Sequence, residues 1–210
     1  MTTSFDRIII IAFDGLDHEK IQQYGCQNVM QEEFGRTDLS DMPMVTGPLW
    51  SSFITGVYPD EHGVHKTMNW THQGIQRFEN LVHGNPLFSF WKGIRWTVFR
   101  NLDFLNAEVL GAYRDNLQVD TTIFEDIEPS IAVNVPGYSI NTALTRIRIA
   151  KALGRDAPLP KDVMERDIDA EFMKRKEETF EALEDDFALM MSHLHKPDFM
   201  QHLYGFDDQK

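Results

Sequence analysis

The sequence predicts an α/β fold in which a mostly parallel sheet is flanked by helices. Three observations lead to this class: a run of β-branched residues opens the chain, apolar strands alternate with helical segments, and polar turns follow the strands. A length of 210 residues with 42% hydrophobic residues is enough for one sizeable core. We therefore predict a single domain over 1–210, with cap or insertion segments at about 65–118 and 138–195.

The first predicted strand runs from Ile8 to Phe13 and ends at Asp14-Gly15, where a turn begins. It is apolar at every position, which is typical of a parallel strand that is covered on both faces. A second strand is predicted from Ser130 to Val135, closed by Pro136-Gly137, and a third from Phe199 to Phe206.

Helices are predicted between these strands. The segment from Asp162 to His195 has apolar residues at roughly helical spacing and predicts a long amphipathic helix, or two, ended by Pro197. Shorter helices are predicted from Asp17 to Gly25, from Leu49 to Ile54 with a stop near Gly56, and from Thr121 to Ile127.

The charge and the single cysteine restrict the function classes. There are 33 acidic and 20 basic residues, a net charge of −13, which repels nucleic acid and anionic membranes, so neither is an expected partner. No stretch approaches the roughly 20 uninterrupted apolar residues of a membrane span. The single cysteine, Cys26, fits a reducing compartment and is expected to be a small buried hydrophobe. A cytoplasmic location is predicted.

Three polar residues stand where an α/β sheet binds its ligands. Asp14 follows the first strand, Thr46 begins a helix, and Asp208 follows the third predicted strand, and ligands bind at the carboxyl ends of strands. Aspartates suit divalent cations, metal coordination activates a threonine hydroxyl, and a helix N-terminus suits a phosphate. Two of these residues alone also have a structural explanation, Asp14 as a turn residue and Thr46 as a helix cap.

The segment from Thr46 to Gly63 resembles the nucleophile segment of the type I phosphodiesterase and nucleotide pyrophosphatase family, in the alkaline phosphatase superfamily. In that family a nucleophilic Thr is followed by Pro, then Thr-Gly, then Pro and His-Gly. The same register is kept here by Thr46, Pro48, Thr55-Gly56, Pro59 and His62-Gly63. The resemblance implies an alkaline phosphatase-like fold and hydrolysis of a small-molecule phosphate ester through a phospho-threonine on Thr46.

The resemblance also implies two divalent metal ions, most often Zn²⁺, with Mn²⁺ as an alternative. Asp14 and Thr46 match ligands of this centre. A further metal-binding Asp is expected ten residues after a Pro-Asp pair, which gives Asp208 after Pro197-Asp198, with Asp207 as the alternative. A metal-binding His is expected four residues later, at position 212.

Because position 212 and the family's later ligands lie beyond the last residue, a catalytically incomplete fragment or a non-catalytic binding module is the alternative expectation. A phosphonate hydrolase or phosphomutase of the same superfamily is the other. Family nucleotide pyrophosphatases often have an Asn twenty-one residues after the nucleophile; here that position is Thr67, with Asn69 nearby, so both are candidates for a phosphate contact. The oligomeric state is not predicted.

Four of the histidines have predicted roles. His62 lies in the turn of the nucleophile segment and is expected to be structural. His193 and His195 are expected on different sides of a helix or at its frayed end, which does not favour a metal site. His202 is expected to be packed within the third strand.

Overall fold

The computed structural model of the protein describes residues 7–30, 33, 35, 37–39, 42, 44–65, 68–70, 72–82, 109–111, 114–139 and 160–205. The elements in chain order are β1 (Ile8–Phe13), α1 (His18–Gln23), α2 (Thr46–Thr55), α3 (Pro59–His62), β2 (Met68–Trp70), α4 (Gln73–Val82), β3 (Val109–Gly111), a 3-10 helix (Arg114–Asn116), α5 (Ile123–Asp126), β4 (Ser130–Val133), α6 (Lys161–Leu183), β5 (Leu189–Leu194) and α7 (Lys196–Tyr204). Within these described ranges, no helix has the length and apolar character needed to cross a membrane.

The central sheet has three parallel strands in the order β1-β5-β4. The middle strand, β5, pairs with β1 along its whole length, from Ile8 beside Leu189 to Phe13 beside Leu194. On its other side it pairs with β4. Parallel strands need crossover connections, and the described connections carry helices. The predicted α/β class with a parallel sheet flanked by helices is therefore confirmed.

Helices cover both faces of this sheet. Successive side chains of a strand point to opposite faces. Leu189 and Met191 of β5 belong to a core cluster with Phe124 of α5. Met190 packs on the opposite face, with Ala182 of α6. This two-sided cover explains why every residue of β5 is buried.

Local signals account for the elements that begin and end as predicted. The Asp17 side chain caps α1 by accepting a hydrogen bond of 2.8 Å from the Glu19 N–H. In α2, Pro48 lies in the first turn, where its missing N–H costs nothing. Gly56 ends α2 in the left-handed conformation, with φ of 71°.

The predicted helix from Asp162 to His195 is wrong in its second half. The helix α6 ends at Leu183, and β5 begins at Leu189. The residues of β5 include Leu and Met, which favour a helix locally, but pairing with strands on both sides overrides this preference. Residues 161–194 therefore belong to the sheet and its covering layer. Of the insertion expected at 138–195, the part from 140 to 159 lies outside the described residues and stays a prediction.

The predicted strand from Phe199 to Phe206 is also wrong, because α7 occupies Lys196–Tyr204. Pro197 lies at the start of this helix and Asp198 in its first turn. Proline suits the first turn of a helix, and an acidic side chain there interacts favourably with the helix dipole. Pro197 therefore begins a helix instead of ending one.

The expected insertion at 65–118 is described only in part. Its strands β2 and β3 pair antiparallel in a second, two-stranded sheet, and α4 follows β2. A cap role for this segment stays a prediction. The prediction that Cys26 is buried is wrong, since Cys26 lies just after α1 and is exposed.

Candidate active site

Two predicted site residues, Asp14 and Thr46, are in contact. Asp14 follows β1, and Thr46 is the first residue of α2. The Thr46 hydroxyl donates a hydrogen bond of 3.0 Å to Oδ2 of Asp14. The cap position of α2 is Val45, which makes no side-chain capping bond. Thr46 therefore does not act as a helix cap, and its hydroxyl is directed to a carboxylate at the carboxyl edge of the sheet.

The turn after β1 packs closely against the start of α7. Gly15 has a φ of +72°, and a Cβ at this position would lie 2.8 Å from Cα of Asp198. The Asp198 N–H donates a hydrogen bond of 3.0 Å to the Asp14 carbonyl oxygen. Glycine is required here by the backbone conformation and by the close approach. The result is that Asp14 and Asp198 lie at the same edge of the sheet.

Asp198 is paired with a histidine one helical turn later. Nε2 of His202 lies 3.4 Å from Oδ1 of Asp198, since residues four apart share a helix face. The prediction that His202 is packed inside a strand is wrong, because it lies on α7 with its side chain 61% exposed. The spacing of this Asp and His equals the spacing that the resemblance implies for Asp208 and position 212. The sequence contains this spacing, but a strand at this position would not place Asp198 and His202 side by side as the helix does.

A second histidine group lies deeper in the same edge. The strand β5 places His193 and the residue after its end, His195, on one face, because residues two apart in an extended chain point the same way. Their relative exposures are 0% and 4%. Nε2 of His195 lies 3.7 Å from Oδ2 of Asp14. Sequence analysis does not favour a metal site here because it places both histidines on a helix, and that placement is wrong.

Asn134 links the ends of β4 and β5 behind this histidine group. It has a φ of 56°, a left-handed conformation that asparagine tolerates better than most residues. Its Nδ2 donates a hydrogen bond of 3.1 Å to the His193 carbonyl oxygen and lies 3.2 Å from Nδ1 of His195. Sequence reasoning missed Asn134, and an asparagine directly before a turn at a strand end is the signal that could have found it.

His62 lies in a different buried region, at the corner between α2 and α3. The Val64 N–H donates a hydrogen bond of 3.1 Å to Nδ1 of His62, so this nitrogen carries a lone pair. Nε2 then carries the proton and donates to the Ser52 hydroxyl oxygen at 2.9 Å. Burial lowers the pKa of His62 below its ordinary value, and the nearby His65 lowers it further. These contacts agree with the structural role that the sequence predicts.

The other predicted site residues are not described at side-chain level. Asp207, Asp208 and Thr67 lie outside the described residues. Asn69 pairs with Leu110 in the second sheet. The metal role of Asp208 and the phosphate contacts of Thr67 and Asn69 stay predictions. The strand from which Asp208 was expected to emerge is a helix.

The arrangement has the donors that a metal centre needs. One ligand atom from each of Asp14, His193 and His195 lies within 4.8 Å of the others, which is close enough for one ion. Carboxylate oxygen and imidazole nitrogen are donors that Zn²⁺ accepts. The half-buried Thr46 hydroxyl stands beside them at the positive end of the α2 dipole, which favours an anionic group. The residues present therefore fit a divalent cation next to an anion-binding hydroxyl.

Comparison with known proteins agrees with this chemistry. A family model described as type I phosphodiesterase / nucleotide pyrophosphatase matches residues 8–210. This family lies in the alkaline phosphatase superfamily and is generally metal-dependent. No curated protein and no solved structure gives a match. The match supports phosphoester hydrolysis of the phosphodiesterase or pyrophosphatase type, with a small-molecule phosphoester as substrate.

Proposed function

The chain belongs to the type I phosphodiesterase / nucleotide pyrophosphatase family, and we propose that it is a metal-dependent phosphoric ester hydrolase with Thr46 as its nucleophile. One observation carries this proposal: the 3.0 Å hydrogen bond from the Thr46 hydroxyl to Asp14 at the carboxyl edge of the sheet. This bond joins Thr46, the nucleophile that the family resemblance implies, to Asp14, the metal ligand that it implies, although 32 residues separate them in the chain.

In the proposed reaction Oγ1 of Thr46 attacks the phosphorus atom of the ester. Oγ1 loses its hydroxyl proton to solvent and forms a bond to phosphorus while the bond from phosphorus to the leaving oxygen breaks, and the leaving oxygen takes a proton from water and departs as an alcohol. Asp14 accepts the hydrogen bond of the Thr46 hydroxyl and so orients Oγ1 for attack. Water then cleaves the phospho-threonine. It releases phosphate from a monoester and a phosphomonoester from a diester, and restores the hydroxyl.

The donors at this edge suit two cations. Asp14, with Oγ1 of Thr46, would hold one, and Asp198 with His202 would hold the other. When bound, the cations would supply Lewis-acid stabilisation of the phosphoryl oxygens and favour the ionised Thr46 hydroxyl. We propose Zn²⁺ as the ion, with Mn²⁺ as the alternative, because carboxylate and imidazole donors suit both.

Asp198 and His202 replace Asp208 and position 212 in this proposal. They keep the Asp-to-His spacing of the family, and Asp198 is tied to Asp14 through its backbone N–H. The expectation of Asp208 rests on a strand that opens at Pro197-Asp198 and leads to an Asp ten residues later, whereas Lys196–Tyr204 form the helix α7. Thr67 and Asn69 remain candidates for holding a phosphate oxygen from the segment that carries β2.

The test is hydrolysis of bis(4-nitrophenyl) phosphate and 4-nitrophenyl phosphate with added Zn²⁺ or Mn²⁺. We expect Thr46→Ala to lower kcat/KM by at least about a thousandfold, as removal of a covalent nucleophile does. Thr46→Ser keeps a hydroxyl and should retain measurable hydrolysis. Acid quenching during turnover should trap a phosphoryl group on the peptide that contains Thr46.

Wild-type rates in Thr46→Ala would overturn the assignment of the nucleophile. A protein that binds the cations but hydrolyses neither ester would support the non-catalytic binding module instead. Asp60→Asn, at an exposed position on α3, serves as the matched control for substitution of a polar residue away from the site.

A further inference from the structure

The histidine pair on β5 has no place in the mechanism proposed above. His193 and His195 are both buried, although neither lies in the middle of an apolar layer: they lie at the end of β5 beside Asp14. A buried imidazole is costly unless its nitrogens have partners. The surroundings of the pair therefore indicate what it does.

The two rings are held in fixed positions. The His193 ring packs edge-on against Trp50, with ring centroids 4.7 Å apart, and the His195 ring stacks on Phe199 at 5.5 Å. Asn134 holds the backbone at His193. Ring packing from two helices, α2 and α7, together with the Asn134 contact to the backbone, orients both rings before any ligand arrives, which is a property of a built binding site.

The rings present nitrogens both to each other and to Asp14: Nδ1 of His195 faces His193, and Nε2 of His195 lies 3.7 Å from Oδ2 of Asp14. The two Nδ1 atoms of His193 and His195 lie 3.1 Å apart. Two lone pairs this close repel unless a proton or a cation lies between or beside them. The third donor, a carboxylate oxygen of Asp14, lies within 4.8 Å of a nitrogen from each ring.

We propose that His193 and His195 are ligands of the cation that Asp14 holds, each through one ring nitrogen. This inference rests on the metal dependence proposed above. It adds two ligands, one within β5 and one directly after it. The family resemblance implies other residues, a later Asp-His pair and a further His, for the remaining positions. Each neutral imidazole carries one proton, which stays on or moves to the ring nitrogen that does not bind the cation, so both ligands enter as neutral imidazoles.

The competing explanation is a hydrogen-bonded pair of core histidines. In that case a proton stays between the two Nδ1 atoms, and the pair only fills space between Trp50 and Phe199. The two explanations differ in whether a metal ion added to the protein changes the imidazole nitrogens.

Titration of the whole protein with Co²⁺ alone separates them. Co²⁺ bound through imidazole and carboxylate gives visible absorption whose intensity and position report the ligands. We expect His193→Gln and His195→Gln each to lower the Co²⁺ affinity of one site by at least about tenfold and to change its spectrum. Glutamine keeps a hydrogen-bonding group of similar length. Thermal unfolding of the metal-free variants shows whether they fold.

Three controls make the result specific. His65→Ala removes an exposed histidine and should leave the spectrum unchanged. Asp198→Asn should weaken the other cation and leave this one. Thr46→Val removes Oγ1 but leaves both imidazoles in place, so it should abolish ester hydrolysis while Co²⁺ still binds, and adding His193→Gln or His195→Gln to it should still lower the Co²⁺ affinity. A failure of the proposed function and a failure of the proposed ligands are therefore told apart.

Should the glutamine variants not fold, ¹⁵N NMR of the wild-type histidine rings with added Zn²⁺ gives the answer. We expect one ring nitrogen of His193 and one of His195 to shift on metal addition. Unchanged ring nitrogens at saturating Zn²⁺, or folded glutamine variants that bind Co²⁺ as the wild type does, overturn the proposal.

Discussion

Buried histidines occupy two described regions, and their surroundings differ. In the corner between α2 and α3, both ring nitrogens of His62 are hydrogen-bonded, one to the Val64 N–H and the other to the Ser52 hydroxyl. At the end of β5, His193 and His195 face each other and the Asp14 carboxylate. The first arrangement fixes one neutral tautomer, whereas the second brings possible ligand atoms of three titratable side chains within 4.8 Å of one another.

The comparison shows that burial alone does not distinguish a structural histidine from a metal ligand. Both regions exclude water almost completely from their rings. What differs is the partner set: neutral hydrogen-bonding groups close in sequence around His62, and titratable donors from two strands around His195. Substitutions in the His62 corner should therefore change folding, and substitutions at the strand end should change metal binding and hydrolysis.

Among the changes that compare the two histidine regions, the largest effect is expected from Asp14→Asn. The amide keeps the shape and can still accept the Thr46 hydrogen bond, so stability should change by less than about 1 kcal/mol. Loss of the carboxylate charge should weaken the cation and lower kcat/KM by roughly a hundredfold or more, which is about 3 kcal/mol in the barrier. Ester hydrolysis and Co²⁺ titration measure both quantities. A stable variant with wild-type activity would show that the strand end is not the reactive region.

The opposite result is expected from His62→Ala. The change leaves a cavity and removes a partner from Ser52 and Val64, so the free energy of unfolding should fall by about 3 kcal/mol. In a protein of this size the melting temperature should drop by roughly 6 to 12 °C. The rate of hydrolysis well below the melting temperature should stay within about twofold. His65→Ala, an exposed neighbour, should cost less than about 0.5 kcal/mol.

Gly15→Ala tests a residue that is expected to affect both stability and hydrolysis. A Cβ at Gly15 meets the Asp198 backbone and has to adopt a positive φ, so we expect a loss of about 2 kcal/mol of stability. Because Asp198 must shift away from Asp14, hydrolysis should fall as well. Gly56→Ala, which also has a positive φ but no atom within 4 Å of the added Cβ, is the matched control. A Gly15→Ala effect no larger than this control would argue against close packing at the site.

Elements with local signals could be predicted from the sequence. The run from Ile8 to Phe13 is uniformly apolar and β-branched, and Pro48 and Gly56 mark the two ends of α2. In contrast, β5 contains no β-branched residue and becomes a strand only because β1 and β4 pair with it. Its identity depends on tertiary contacts that no local pattern in this segment contains.

The site residues could be predicted where the neighbouring element has a local signal, and not elsewhere. Asp14 and Thr46 border elements that local signals define, and the structure joins them. His193 and His195 were not predicted as ligands because a helical period separates them, whereas a strand places them on one face. The pair Asp198 and His202 lay hidden for the reverse reason, since a strand separates residues that the helix α7 brings together.

The smallest expected effect is a pH dependence that belongs to the His62 corner. Its folded-state pKa lies below the ordinary value of 6.5, mainly because burial disfavours the charged ring. The unfolded chain therefore binds a proton more readily, and the stability that His62 contributes is present above about pH 6.5 and is lost as the pH falls toward the folded-state value. Urea unfolding of the wild type and of His62→Gln in the presence of a metal chelator separates the contribution of His62 to stability from that of His193 and His195. The difference in unfolding free energy between the two proteins should be constant from about pH 8 to 7 and should shrink below about 6.5. A difference that does not vary with pH would mean that His62 titrates alike in both states, and that its hydrogen bonds do not hold the ring neutral.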